Sequence, residues 1–94
     1  MSNNTQNAGK HVLTVGQGAA LRVLVGINLG VISKLCEKDA TDLLKGGQVE
    51  KSHIGNLLSQ AQISLNIIIE RKLVAAAQKE AALLIEHYNL ENVA

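Results

Sequence analysis

The hydrophobic pattern of the C-terminal half predicts one long helix over residues 52–88. This run has no proline, its only glycine, Gly55, lies in the first turn, and Ser52 is a residue type that caps helix starts. Such a helix would be about 54 Å long at roughly 1.5 Å per residue, longer than a compact domain of this size is wide. We therefore expect it to pack against other helices.

Apolar residues cover most of the circumference of this helix. The polar positions form one narrow strip of Asn56, Ser59, Gln62, Asn66 and Glu70. An apolar arc of this width predicts contacts on two sides, with another helix of the chain and with a second subunit, and places Leu65, Ile68 and Ile69 at the subunit interface. Residues 62–69 also alternate as in a strand, but a lone strand would have no partner, so we favour helix.

An earlier helix is predicted from Thr14 to about Lys45. Thr14 and Gln17 match a capping box, and apolar residues then recur at three- and four-residue spacing. Gly46 and Gly47 end the helix, and the short connection after them makes the two helices antiparallel neighbours. Asp39 is a second possible cap, so a kink or break at residues 37–39 is the alternative.

The predicted fold is all-α: a long antiparallel helical hairpin, with its first helix kinked in the alternative reading, that assembles into a homo-oligomeric helical bundle. Residues 13–90 form the domain, and residues 1–12 and 91–94 are predicted to be tails. The chain has 94 residues, of which 47% are hydrophobic. A chain this short has a small core, so this apolar content also favours an oligomer.

Charge and composition narrow the range of partners. Nine Lys and Arg residues against eight Asp and Glu give a net charge of +1, too balanced to favour nucleic acid or anionic lipid. Residues 19–32 contain Arg22 and Asn28 and are too few for a membrane span. A single cysteine, Cys36, fits a reducing compartment, and the N-terminal sequence has no signal-peptide pattern, so we expect a cytoplasmic protein.

The start of the first helix is the candidate ligand site. Gly16, Gln17 and Gly18 offer free backbone N–H groups, and Arg22 lies one turn further on. A helix N-terminus with a nearby guanidinium has the parts of an anion site. The glycine spacing matches neither the dinucleotide fingerprint nor the P-loop, so a helix entry or a close helix contact is the competing interpretation.

Three further residues of the first helix are interface candidates. Gly26 and Gly30 place small residues on one face, which favours the close approach of another helix. Asn28 lies among apolar residues, where a buried polar side chain fixes register or oligomer number in coiled coils. An Asn facing solvent is the alternative.

No residue pattern indicates catalysis. Cys36 and the histidines His11, His53 and His87 lack metal-ligand spacing and a paired acid and base, so we predict no enzyme, metal or cofactor. The predicted function is a non-enzymatic adaptor, inhibitor or sequestering protein, which binds itself and an unidentified protein or anionic small molecule. Two alternatives are a sponge or sensor for an anion such as a nucleotide, and a DNA-associated regulator with a helix-turn-helix at residues 43–60, which the lack of a basic cluster opposes.

Overall fold

The computed structural model describes residues 13–90, and the predicted tails at residues 1–12 and 91–94 lie outside this range. The described residues form four α-helices and a short 3₁₀ turn, and no strand occurs among them. In chain order the elements are α1 (Val15–Asn28), the 3₁₀ turn (Lys34–Cys36), α2 (Glu37–Leu44), α3 (Lys51–Glu70) and α4 (Val74–His87). The all-α prediction is confirmed, and residues 62–69 are helical.

The capping box at the start of α1 forms as the sequence predicted. The Thr14 hydroxyl accepts from the Gln17 backbone N–H at 3.0 Å, and Gln17 Oε1 accepts from the Thr14 N–H at 3.2 Å. Two of the N–H groups left free at a helix start are thereby satisfied.

The prediction of one helix from Thr14 to Lys45 was wrong, because α1 ends at Asn28. Gly30 takes a left-handed conformation with φ of 75°, and the next N–H, of Val31, donates back to the Gly26 carbonyl at 2.9 Å. This is the glycine-closed helix end of a Schellman motif. The chain turns well before residues 37–39, where α2 starts. Apolar spacing persists across the turn because Cys36 and Ala40 still face the core.

The predicted long helix over residues 52–88 is also two helices. The break lies at Lys72, a non-glycine residue with φ of 59°, where the Leu73 N–H donates to the Ile68 carbonyl at 2.8 Å. A left-handed conformation costs a residue with a Cβ roughly 1–2 kcal/mol. Partial burial of α4 residues such as Ala77, Ala81 and Leu84 against Val25 and Ile68 offsets that cost.

The centre of the fold is α1. Eight of its residues are buried: Ala19, Ala20, Leu21, Val23, Leu24, Val25, Gly26 and Ile27. The helices α2, α3 and α4 all pack against it, so four shorter helices take the place of the predicted hairpin of two long ones. The described residues span 44 × 31 × 17 Å. None of the described helices combines the length and hydrophobicity that crossing a membrane requires.

Candidate binding surface

An open groove lies between α1, α3 and α4. Its volume is about 510 Å³, and most of the residues that line it are apolar. α1 contributes Leu21 and Val25, α3 contributes Leu65 and Ile68, and α4 contributes Val74, Ala77, Ala81 and Ile85. The turn at Lys72 creates this groove, because it directs α4 away from the line of α3 and back toward α1.

Of the residues in the described range 13–90 that line the groove, Arg22 alone is charged. Its side chain is exposed, and it forms no hydrogen bond or salt bridge with the described residues. The guanidinium lies beside Gly18, one nitrogen being 3.5 Å from the position of a Cβ built on that glycine. The Arg22 backbone carbonyl accepts from the Ser64 hydroxyl at 3.5 Å. The groove therefore carries one cation that no carboxylate of the described chain neutralises.

The four residues of the predicted anion site divide into two pairs. Gly18 and Arg22 line the groove, whereas Gly16 and Gln17 do not. The Gln17 amide donates to the Leu43 carbonyl at 3.2 Å, and a Cβ on Gly16 would lie 3.2 Å from Leu43 Cδ2. Gln17 and Gly16 therefore hold α1 against the end of α2. At these two residues the structure agrees with the alternative interpretation of the glycine-marked start, a close helix contact.

The interface candidates of α1 are engaged within the chain. Gly26 is buried where α1 meets α3, and a Cβ on it would lie 2.9 Å from Ser64 Cβ. Asn28 is exposed and donates to Glu80 Oε2 at 2.7 Å, which links α1 to α4. Gly30 closes the end of α1. The close helix approach expected of Gly26 thus occurs inside one subunit.

The other interface candidates lie on α3. Ile68 is only 5% exposed and belongs to the core, whereas Leu65 is 40% and Ile69 56% exposed. With Leu58, which is 44% exposed, Leu65 and Ile69 follow one side of the helix at spacings of seven and four residues. We call these three residues the α3 outer face. Leu65 also lines the groove, so the two surfaces meet there.

No family model, curated protein or solved structure matches this chain.

Between its end residues, Lys51 and Glu70, α3 carries no Asp, Glu, Lys or Arg. Residues 52–69 include none of these types, and Gln62 donates to Asn66 Oδ1 at 3.0 Å within the same helix. Water-exposed helices usually carry charged residues on their outer side. Leu58 was on the apolar side predicted for this helix but was not singled out as an interface residue, and the absence of charge from residues 52–69, although visible in the sequence, was not used.

The remaining polar groups of interest serve the fold. His53 Nδ1 lies 3.2 Å from Asp39 Oδ2 and its Nε2 lies 3.8 Å from Glu50 Oε1, which ties α2 to the start of α3. His87 packs edge-on against Tyr88, and His11 lies outside the described residues. The described residues contain no cluster of three His, Cys, Asp or Glu side chains that would hold a metal ion.

Cys36 is buried in the core, and burial, followed by the nearby charge of Asp39, raises the pKa of its thiol above the usual 9.0. The thiolate is the reactive form of cysteine, so Cys36 is a poor nucleophile at neutral pH.

Proposed function

We propose that this chain is a non-enzymatic helical binding protein that works as a homo-oligomer, with subunits joined through the α3 outer face. The observation that carries the proposal is an exposed aliphatic stripe on a helix that has no charged residue from 52 to 69. Water solvates such an aliphatic, uncharged surface poorly, so its burial against another protein is favourable.

The geometry of the stripe favours another helix as its contact. Leu58, Gln62, Leu65 and Ile69 follow the alternating spacing of four and three residues by which paired helices interlock. Polar but uncharged neighbours such as Gln62 and Asn66 lose less solvation on burial than ions would. Because residues 52–69 contain no Asp, Glu, Lys or Arg, two copies of this segment would bring no like charges from within it together, so the same stripe on a second subunit is a compatible contact.

The environments of Cys36 and His53, two residue types that often act in catalysis, favour binding over catalysis. Cys36 is buried as a thiol, and His53 is held between Asp39 and Glu50. Both are taken up by contacts that stabilise the fold.

Light scattering coupled to size-exclusion chromatography tests the assembly. We expect the chain to elute at micromolar concentration as a dimer or larger. The double variant Leu58→Asp/Ile69→Asp should elute as a folded monomer, because both side chains are exposed and a carboxylate at either is costly only in the assembled state. The control Leu83→Asp alters a residue that is 54% exposed on α4, and it should keep the native mass.

Ile68→Asp is unsuitable for this test, since Ile68 lies in the core and its loss would unfold the chain. A folded, monomeric wild-type protein would refute the proposal.

A further inference from the structure

We propose that the groove between α1, α3 and α4 binds an amphipathic organic anion, whose apolar body lies on the groove walls and whose single carboxylate, sulfonate or phosphate pairs with Arg22. This names a ligand class for the proposed function, and it rests on that function only in taking the chain to be a binding protein. It does not require the oligomer.

The size and lining of the groove suit the apolar part of such a ligand. Its volume of about 510 Å³ falls within the roughly 300–1,000 Å³ of small-molecule sites. Leu21 and Val25 of α1 and Ile68 of α3 form one side, and Val74 and Ile85 of α4 form the other. Contact with aliphatic side chains on both sides removes the apolar surface of a ligand from water.

The charge of the groove selects the polar part. The Arg22 side chain has no partner among the described residues, and none of the described residues that line the groove carries a carboxylate. Glu80 of α4, a carboxylate that reaches across to α1, accepts from the side chain of Asn28. An unpaired guanidinium favours an anion over a neutral or cationic group and binds a carboxylate or phosphate through two parallel N–H groups.

The remaining polar residues of the groove fit a ligand with one charged group. Ser64 is fully buried and already donates its hydroxyl to the Arg22 carbonyl, and Gln78 is an exposed, uncharged residue on the α4 side. A ligand with several negative charges would find one cationic partner, Arg22, in the part of the groove that the structure describes. We therefore favour a small amphipathic anion over a charged protein helix as the occupant.

Two fluorescent probes with similar aromatic bodies test the pairing. Anilinonaphthalene sulfonate carries one anionic group, and phenylnaphthylamine is its neutral counterpart. Arg22→Ala should weaken binding of the sulfonate about tenfold, the scale of one charge-assisted hydrogen bond, and leave the neutral probe unchanged. The matched control is Arg71→Ala, which removes an exposed arginine outside the groove and should alter neither probe.

Charge substitutions at the exposed residue Gln78 provide a second test, because they should not disturb the hydrophobic core. Gln78→Glu should weaken binding of the sulfonate and Gln78→Lys should strengthen it, because the residue is exposed and lines the groove. Dodecanoate should displace the sulfonate probe, and dodecylammonium should not. Sulfonate binding that is the same in wild type, Arg22→Ala and both Gln78 variants would overturn the proposal.

Light scattering on the same samples separates this proposal from the oligomer. A monomer that binds the sulfonate through Arg22 refutes the assembly and supports the groove site. An oligomer in which Arg22→Ala changes the mass but not sulfonate binding assigns Arg22 to a subunit contact and overturns the groove site.

Discussion

Replacing Gly26 by alanine should destabilise the fold, although the same change stabilises most helices. Alanine is favoured over glycine in a helix by about 1 kcal/mol. At Gly26, however, the new Cβ would overlap the Ser64 hydroxyl and lie 2.9 Å from Ser64 Cβ. Relieving this overlap requires α3 to move away from α1, although Leu57 and Ser64 of α3 are both fully buried. Overpacking of this kind costs roughly 1–3 kcal/mol, and we place Gly26 at the upper end because the clash lies close to two backbones.

The expected net loss in free energy of unfolding for Gly26→Ala is about 2 kcal/mol. Urea denaturation followed by circular dichroism, at one fixed protein concentration, measures it. Gly55→Ala is the matched control: nothing lies within 4 Å of its Cβ position, so it should raise stability by about 0.5–1 kcal/mol. In the double variant Gly26→Ala/Ser64→Gly the overlap is gone. Its loss in free energy of unfolding should therefore be much smaller than the sum of the losses in the two single variants. A Gly26→Ala protein as stable as wild type would refute the close approach of α1 and α3.

Two further predictions concern the end of α3 and the buried thiol. Lys72→Gly should raise the free energy of unfolding by about 1 kcal/mol in urea denaturation, because glycine adopts the φ of 59° without the clash of a Cβ; a loss of stability would contradict the left-handed turn at Lys72. Burial raises the pKa of Cys36, so the unfolded thiol ionises first, and stability should fall as the pH rises above 9.0. Cys36→Ala should lack this component of the pH dependence, and identical profiles for the two proteins would contradict it.

Local signals in the sequence predicted much of the secondary structure. The capping box of Thr14 and Gln17 and the helix end at Gly46 depend on residues close in sequence, and both occur in the structure. Helix was also correctly preferred to strand at residues 62–69. Each of these features is decided within one or two turns of chain.

The helix breaks could not be predicted from such local signals. Gly30 was interpreted as a packing residue. A glycine in a helical pattern can serve either a close helix contact or a left-handed turn, and the neighbouring sequence does not distinguish the two. Lys72 gives no glycine or proline signal, and its turn forms because α4 buries its apolar side against α1. The groove depends on that turn, so only Gly18, Arg22, Leu65 and Ile68 of its lining were singled out beforehand.

Disulfide cross-linking at the centre of the α3 outer face tests the proposed assembly most directly. Gln62→Cys, in a Cys36→Ala background, places a thiol on the exposed side of α3 between Leu58 and Leu65. Two such thiols join only when their Cα atoms come within roughly 4.4–6.8 Å. We expect mild oxidation to give a covalent dimer for Gln62→Cys and none for Leu83→Cys in the same background. No dimer at position 62, or equal yields at both positions, would contradict a homo-oligomer joined through this face.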